Sequence, residues 1–371
     1  MKKISLFMLM MAGVFTGCKD TNTPFPVKNK VVYKGTQSPG DVWTWELDKV
    51  SNTFSATWDY GTFDNTADDI SVSGSYEELP SGYLKITLSS VTPSSLEVPT
   101  DGSAFFYALE IPNMVLILKP EGSIKGDIIA LVAQGNCSDV AGTYHYFFTS
   151  PGNGNLYDSY TEEAFGQATF TDNGGTFSIA GSKSSLDCLD GIHCTVTGPI
   201  TGLPSAVCEM NGEIKISDPG GVTLSRGQFT QAGVFMLDMG PGNGGLFGLR
   251  SDASITVNDL KSTMFNGLAY LPANNIDKTV PVKLEFSALG VGAGYAYTDI
   301  ENNLVDAAQG VSITIDSITD GFVLGKIGHQ SGGITSFAGS LLKSGTSKIM
   351  VLVSTTDEAG NPPFILVLTS K

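Results

Sequence analysis

The sequence predicts an all-β protein, built of antiparallel β-sandwich or small meander-barrel modules in tandem. Three observations carry that expectation. Runs that alternate apolar and polar residues recur every 8–15 residues. Between them fall turn formers, including 44 glycines and 17 prolines, and glycine and proline punctuate strands rather than continue helices. No long amphipathic helical pattern follows the first 18 residues.

The first element is a leader. Lys2 and Lys3 precede an apolar run from Ile4 to Phe15, and the small residues Thr16 and Gly17 then lead to Cys18. A helix over that run spans about 18 Å, short of the roughly 30 Å of a bilayer core. A secretory signal over 1–17 fits this pattern. The tetrad Phe15-Thr16-Gly17-Cys18 resembles the lipobox of bacterial lipoproteins, with Phe15 where leucine is usual. That resemblance covers the leader alone. It implies cleavage before Cys18, acylation of Cys18 and attachment to a membrane through it. Several acyl chains hold a protein on a bilayer where one gives only marginal binding. Lys19, in place of the aspartate that retains enteric lipoproteins at the inner membrane, favours the outer membrane.

Residues 18–40 read as the lipidated cysteine and a polar, proline-punctuated tether. Beyond them the alternation begins. In "DVWTWELD" Trp43, Trp45 and Leu47 share one face, and in "TFSATWDYG" Phe54, Ala56 and Trp58 do the same. A coarse repetition follows. Aromatic openings at "DVWTWELD", "GTYHYFF" and "NGLAYLP" are each answered by a strongly apolar hairpin, at 114–134, 233–251 and 348–370. These closings lie about 115–120 residues apart, a suitable size for small domains. Modules are expected over 41–136, 137–257 and 258–371, with one continuous β assembly as the alternative.

Cys137, Cys188, Cys194 and Cys208 all fall in the middle module. An even number in an exported chain points to disulfides, with three connectivities open. The pairing expected is Cys188 with Cys194 across "CLDGIHC", and Cys137 with Cys208. Zinc held by these thiols with His193 is the competing reading, and the missing Cys-x-x-Cys knuckles speak against it.

Charge and motifs narrow the function. With 37 acidic against 21 basic side chains the net charge is −16, without the clustered lysines that a phosphate backbone needs. Nucleic acid is excluded as an expected partner. The three histidines are His145, His193 and His329. Only His329 has a serine, Ser331, close by, and no nucleophile elbow surrounds it. Glu77/Glu78, Glu162/Glu163 and Asp68/Asp69 are adjacent carboxylates, which point to opposite faces when extended. "DNTADD" lacks the spacing of a calcium loop. No cofactor or metal is expected. Trp43, Trp45, Trp58 and Tyr60 are candidate stacking residues for a sugar or apolar ligand, against the reading favoured by the alternation, an aromatic core. The chain is therefore expected to be an exported, lipid-anchored envelope protein with a non-catalytic β-rich binding region. Its partner would be a protein, a glycan or an apolar ligand. A polysaccharide-acting hydrolase using loop carboxylates and a purely structural envelope protein are the alternatives.

Overall fold

The computed structural model describes residues 28–37, 40–59, 69–93, 99–122, 128–137, 140–149, 165–171, 176–182, 206–208, 211–217, 223–238, 245–270, 279–330, 332–354 and 364–371. The first barrel holds β1 (Lys30–Gln37), β2 (Gly40–Asp48), β3 (Thr53–Asp59), β4 (Ile70–Glu78), β5 (Leu84–Thr92), β6 (Ala104–Ile111), β7 (Val115–Gly122) and β8 (Ile129–Ala133). Each strand pairs antiparallel with the next, and β1 pairs with β8 to close the ring.

The second sheet holds β9 (Gly142–Thr149), β10 (Phe165–Thr171), β11 (Thr176–Ser182), β12 (Ala206–Cys208), β13 (Glu213–Ser217), β14 (Thr223–Thr230), β15 (Val234–Asp238) and β16 (Gly245–Arg250). Its first and last strands also pair, and among the described residues it is open between β11 and β12.

The third holds β17 (Met264–Tyr270), β18 (Thr279–Phe286), β19 (Gly292–Asp299), β20 (Leu304–Val305), β21 (Val311–Thr319), β22 (Phe322–Gly328), β23 (Ile334–Ser344), β24 (Ser347–Ser354) and β25 (Ile365–Ser370). Pairing of β17 with β25 and of β18 with β19 closes it, and β20 is appended to β19. All three are up-and-down meanders, so the sandwich alternative does not describe them.

This topology explains the aromatic openings and apolar closings. In the second and third sheets the opening strand is hydrogen-bonded to the last closing strand, β9 to β16 and β17 to β25, while in the first β1 stands between β2 and β8. The closing hairpins are buried on both faces. Along β7, Leu116 and Leu118 point into the barrel, while Val115 and Ile117 point outward. In β24, Met350 and Leu352 face inward and Ile349, Val351 and Val353 outward. In β15, Phe235 and Leu237 face inward, Val234 and Met236 outward. The outward residues of the three sheets meet in one shared core. A strand with apolar surroundings on both sides loses its polar alternation.

Turn chemistry agrees with the hairpins. Asp320 (φ 52°) and Gly321 (φ 81°) form the two-residue link between β21 and β22, where both positions take the left-handed region that Asp-Gly tolerates. Gly248 lies in front of the Phe235 ring, so a side chain there would displace that ring from the core.

The tether expected over 18–40 is corrected at its C-terminal end. Lys30–Gln37 is β1, because Val31 and Tyr33 alternate into the barrel at 3% and 0% exposure. Residues 18–27, with Cys18, lie outside the described residues.

Cys137 and Cys208 are disulfide-bonded, with Cα atoms 5.6 Å apart and a sequence separation of 71. The bond ties the link between β8 and β9 to β12, a strand of only three residues. Closing a loop of this length removes unfolded-state entropy worth about 4 kcal/mol. The Cys137→Ser/Cys208→Ser variant is expected to lose stability of that order in a denaturant titration. Cys188 and Cys194 lie outside the described residues.

Candidate functional site

The fold has two unlike ends. The chain enters β1 beside the turn after β2, where Lys49 N donates to Asn29 O at 2.7 Å. This is called the near end. Its turns within barrels, at 49–52, 79–83, 112–114, 231–233, 287–291, 320–321 and 345–346, are two to five residues long. The near ends of the three sheets are joined directly. Thr230 Oγ1 donates to Asn113 O at 3.3 Å, Asp252 N to Asp320 O at 3.0 Å, and Lys371 Nζ meets Glu78 Oε1 at 3.0 Å. The strand ends that flank the longer stretches of sequence, among them 60–69, 93–103, 150–164, 271–278 and 355–364, lie at the opposite, far end. Binding residues concentrate on such connections when a rigid scaffold holds their ends.

A charged cleft of about 170 Å³ lies between the first and second sheets. The first sheet contributes Lys34, Thr44 and Asp59, with Asp69 just before β4; the second contributes Glu213 and Arg226. Lys34 Nζ and Glu213 Oε2 stand 3.3 Å apart across it, both largely withdrawn from solvent. Asp69 Oδ1 is buried and no described donor reaches it. A buried carboxylate oxygen without a donor is a standing demand for one. Acceptors and cationic donors on facing walls suit a ligand rich in hydroxyls, such as a sugar edge.

The sequence-predicted stacking residues lie elsewhere. Trp45 is fully buried, stacked on Phe54 at 4.9 Å and edge-on to Phe106 at 5.4 Å. Trp43 is 6% exposed and stacks on Trp58 at 5.0 Å, with Trp58 packed against the same barrel interior. The rings fill the barrel, so they form a core rather than a platform. Tyr60 lies outside the described residues.

The two described histidines, His145 and His329, do not converge. His145 is buried between the second and third sheets, with Nδ1 3.2 Å from Ser340 Oγ and its ring 5.2 Å from Phe322. His329 Nε2 is 2.9 Å from Thr335 Oγ1. His193 and Ser331 lie outside the described residues. Glu77 and Glu78 are both exposed. Glu162, Glu163 and Asp68 lie outside the described residues. Among the described residues no group of three or more His, Cys, Asp or Glu side chains is placed to hold a metal ion.

Burial lowers the pKa of His145 from 6.5 to about 4, opposed by the Asp320 carboxylate. A depressed histidine favours the folded state only while neutral. Its contribution is complete above pH 6.5 and falls as the pH drops towards 4, where the unfolded chain binds the extra proton. The loss reaches about 3 kcal/mol by pH 4. Denaturant midpoints at pH 7 and pH 4.5 are expected to differ more for the wild type than for His145→Asn.

Sequence reasoning missed the cleft, and also the buried Glu110, which accepts from Tyr33 Oη at 2.5 Å and pairs with Lys49. The one signal for Glu110 was a lone carboxylate within "FFYALEIPNMVLILK". Its partners are Tyr33 in β1 and Lys49 in the turn after β2, so the cluster locks the near end of the first barrel. Burial and the neighbouring carboxylate push the Tyr33 phenol well above its usual range.

No protein-family model matches this sequence, and no curated protein matches it. Among solved structures, the chain is similar to the vaccine antigen transferrin binding protein B of Haemophilus parasuis Hp5, in a Tyr/Trp double mutant. The identity is 8%, covering 93% of this chain and 76% of that one, with a TM-score of 0.26. Intact Ap-TbpB with its N and C lobes shows 10% identity over 94% and 79% of the two chains, at a TM-score of 0.24. A DUF3598-family protein of unknown function from Nostoc punctiforme PCC 73102 shows 14% identity over 92% and 94%, also at 0.24. At such values the function of this chain rests on its own residues.

Proposed function

We propose that this chain is an exported lipoprotein, anchored in the outer membrane through acylated Cys18, that binds an envelope or external partner without catalysis. The observation that supports it most is the contrast between the two ends. Chain entry and tight turns share one end, while the long connections and the far-end strand residues Val42 and Asp59 of the charged cleft share the other. An anchor before β1 therefore holds the far end away from the lipid.

A macromolecular partner fits better than an enclosed apolar ligand. The first and third barrels are filled by their own side chains. The apolar cavity where the three sheets meet measures about 60 Å³, against the roughly 300–1,000 Å³ of sites that enclose small molecules. A protein or glycan read by the far-end connections and the cleft is the partner class proposed.

Cys18→Ser tests the attachment. Wild-type protein is expected in the membrane fraction and the variant in the soluble fraction. Equal membrane retention of both would argue for another anchor. Binding is tested with a glycan and envelope-protein array, on which Asp69→Asn/Arg226→Gln should lose signal at least about ten-fold for a cleft ligand.

A further inference from the structure

From the near end we infer a second membrane contact: the hairpin tip between β18 and β19 rests on the lipid surface and fixes how the anchored body stands. The inference rests on the anchor at Cys18 proposed above. Its own evidence is a turn with the wrong chemistry for water.

Turns of this kind normally carry Gly, Asn, Asp or Ser at their tips. This one reads Ser287-Ala288-Leu289-Gly290-Val291, with Leu289 86% and Val291 62% exposed. Met264, at the start of neighbouring β17, is 50% exposed. The tip is rigid. Ser287 Oγ accepts from Leu289 N at 3.3 Å and from Val291 N at 3.2 Å, and Gly290 N donates to Ser287 O at 2.9 Å. A turn held this way keeps two large apolar side chains in water unless something covers them.

The place of the tip says what covers it. It projects at the near end, where the chain also enters. From Cys18 to Lys28 the chain has ten residues, reaching at most about 35 Å. Val50, 74% exposed, stands beside the entry point in the turn after β2. Of the six large apolar side chains most exposed among the described residues, Val50, Met264, Leu289 and Val291 are at this end. Lys30, Lys343 and Lys371 are paired with Glu46, Asp259 and Glu78, while Lys261 beside Gly290 is exposed. The side chains that the tip itself presents are apolar, and a zwitterionic lipid suffices. Multiple acyl chains already secure attachment, so the tip acts on orientation and not on retention.

The test measures depth. Acylated chain carrying Leu289→Trp or Ile334→Trp is reconstituted in phosphatidylcholine vesicles made with or without acyl-brominated lipid. Ile334 is an exposed far-end residue, and the three native tryptophans give a common background. The emission that Leu289→Trp adds to the native background is expected to fall about two-fold on brominated lipid, the tip lying at the headgroup–acyl boundary, with that added by Ile334→Trp unchanged. Equal emission from Leu289→Trp in both vesicles, with the protein still floating with them, overturns the tip contact and leaves the anchor standing. A chain that does not float fails at the anchor instead. The same two variants, held through an N-terminal histidine tag on nickel-chelating phosphatidylcholine vesicles, then decide the tip contact by the same criterion.

Discussion

Val351→Asp is expected to unfold the whole body rather than one barrel. Val351 is 1% exposed and lies in the core shared by all three sheets. A carboxylate there has no partner among the apolar residues around it and must either ionise in a poor dielectric or be neutralised. The cost is at least about 4 kcal/mol, a large part of the 5–15 kcal/mol that holds a typical domain folded. Val351→Ala, which removes only packing, should cost roughly 2 kcal/mol. Tryptophan fluorescence reports the first barrel and hydrogen exchange of β24 reports the third, so their denaturant transitions should coincide. A first-barrel transition that stays at the wild-type midpoint in Val351→Asp would show that the barrels are independent.

Trp45→Ala is the second large effect, expected to cost about 3–5 kcal/mol. Trp45 is fully buried against Phe54 and Phe106, and no described acceptor reaches its indole nitrogen. Its contribution is packing alone, so Trp45→Phe should recover most of the loss. Thermal melts of both variants check this. A Trp45→Phe as unstable as Trp45→Ala would mean that the nitrogen has a structural partner.

The strands and turns of this fold were largely legible, and for identifiable reasons. Alternation in "DVWTWELD" placed Trp43, Trp45 and Leu47 on one face, where the structure has them. What alternation does not reveal is whether that face lines a filled barrel or an open platform. That depends on β1 pairing with β8, some 100 residues away. β1 itself was hidden because Lys30, Lys34, Gly35 and Thr36 make "KVVYKGTQ" look like linker, although Val31 and Tyr33 are core residues. The closing hairpins were visible as apolar runs, but a second core outside each barrel was not. Nothing local distinguishes the inward Leu352 from the outward Val351.

The cleft was illegible for another reason. Lys34, Asp59, Asp69, Glu213 and Arg226 come from separate strands or strand ends of two sheets, and no spacing in sequence encodes their approach. In the sequence Asp69 is only the end of an acidic run. Its significance comes from Arg226 and Glu213 on the facing wall.

Which end of the body faces outward depends on where it is attached. Intact mass of the mature chain, purified from membranes and followed by fragmentation of its N-terminal peptide, tests this most directly. The predicted result is a chain that begins at Cys18 and carries a diacylglyceryl group on its sulfur. A mature chain that begins elsewhere, or an unmodified Cys18, would contradict it.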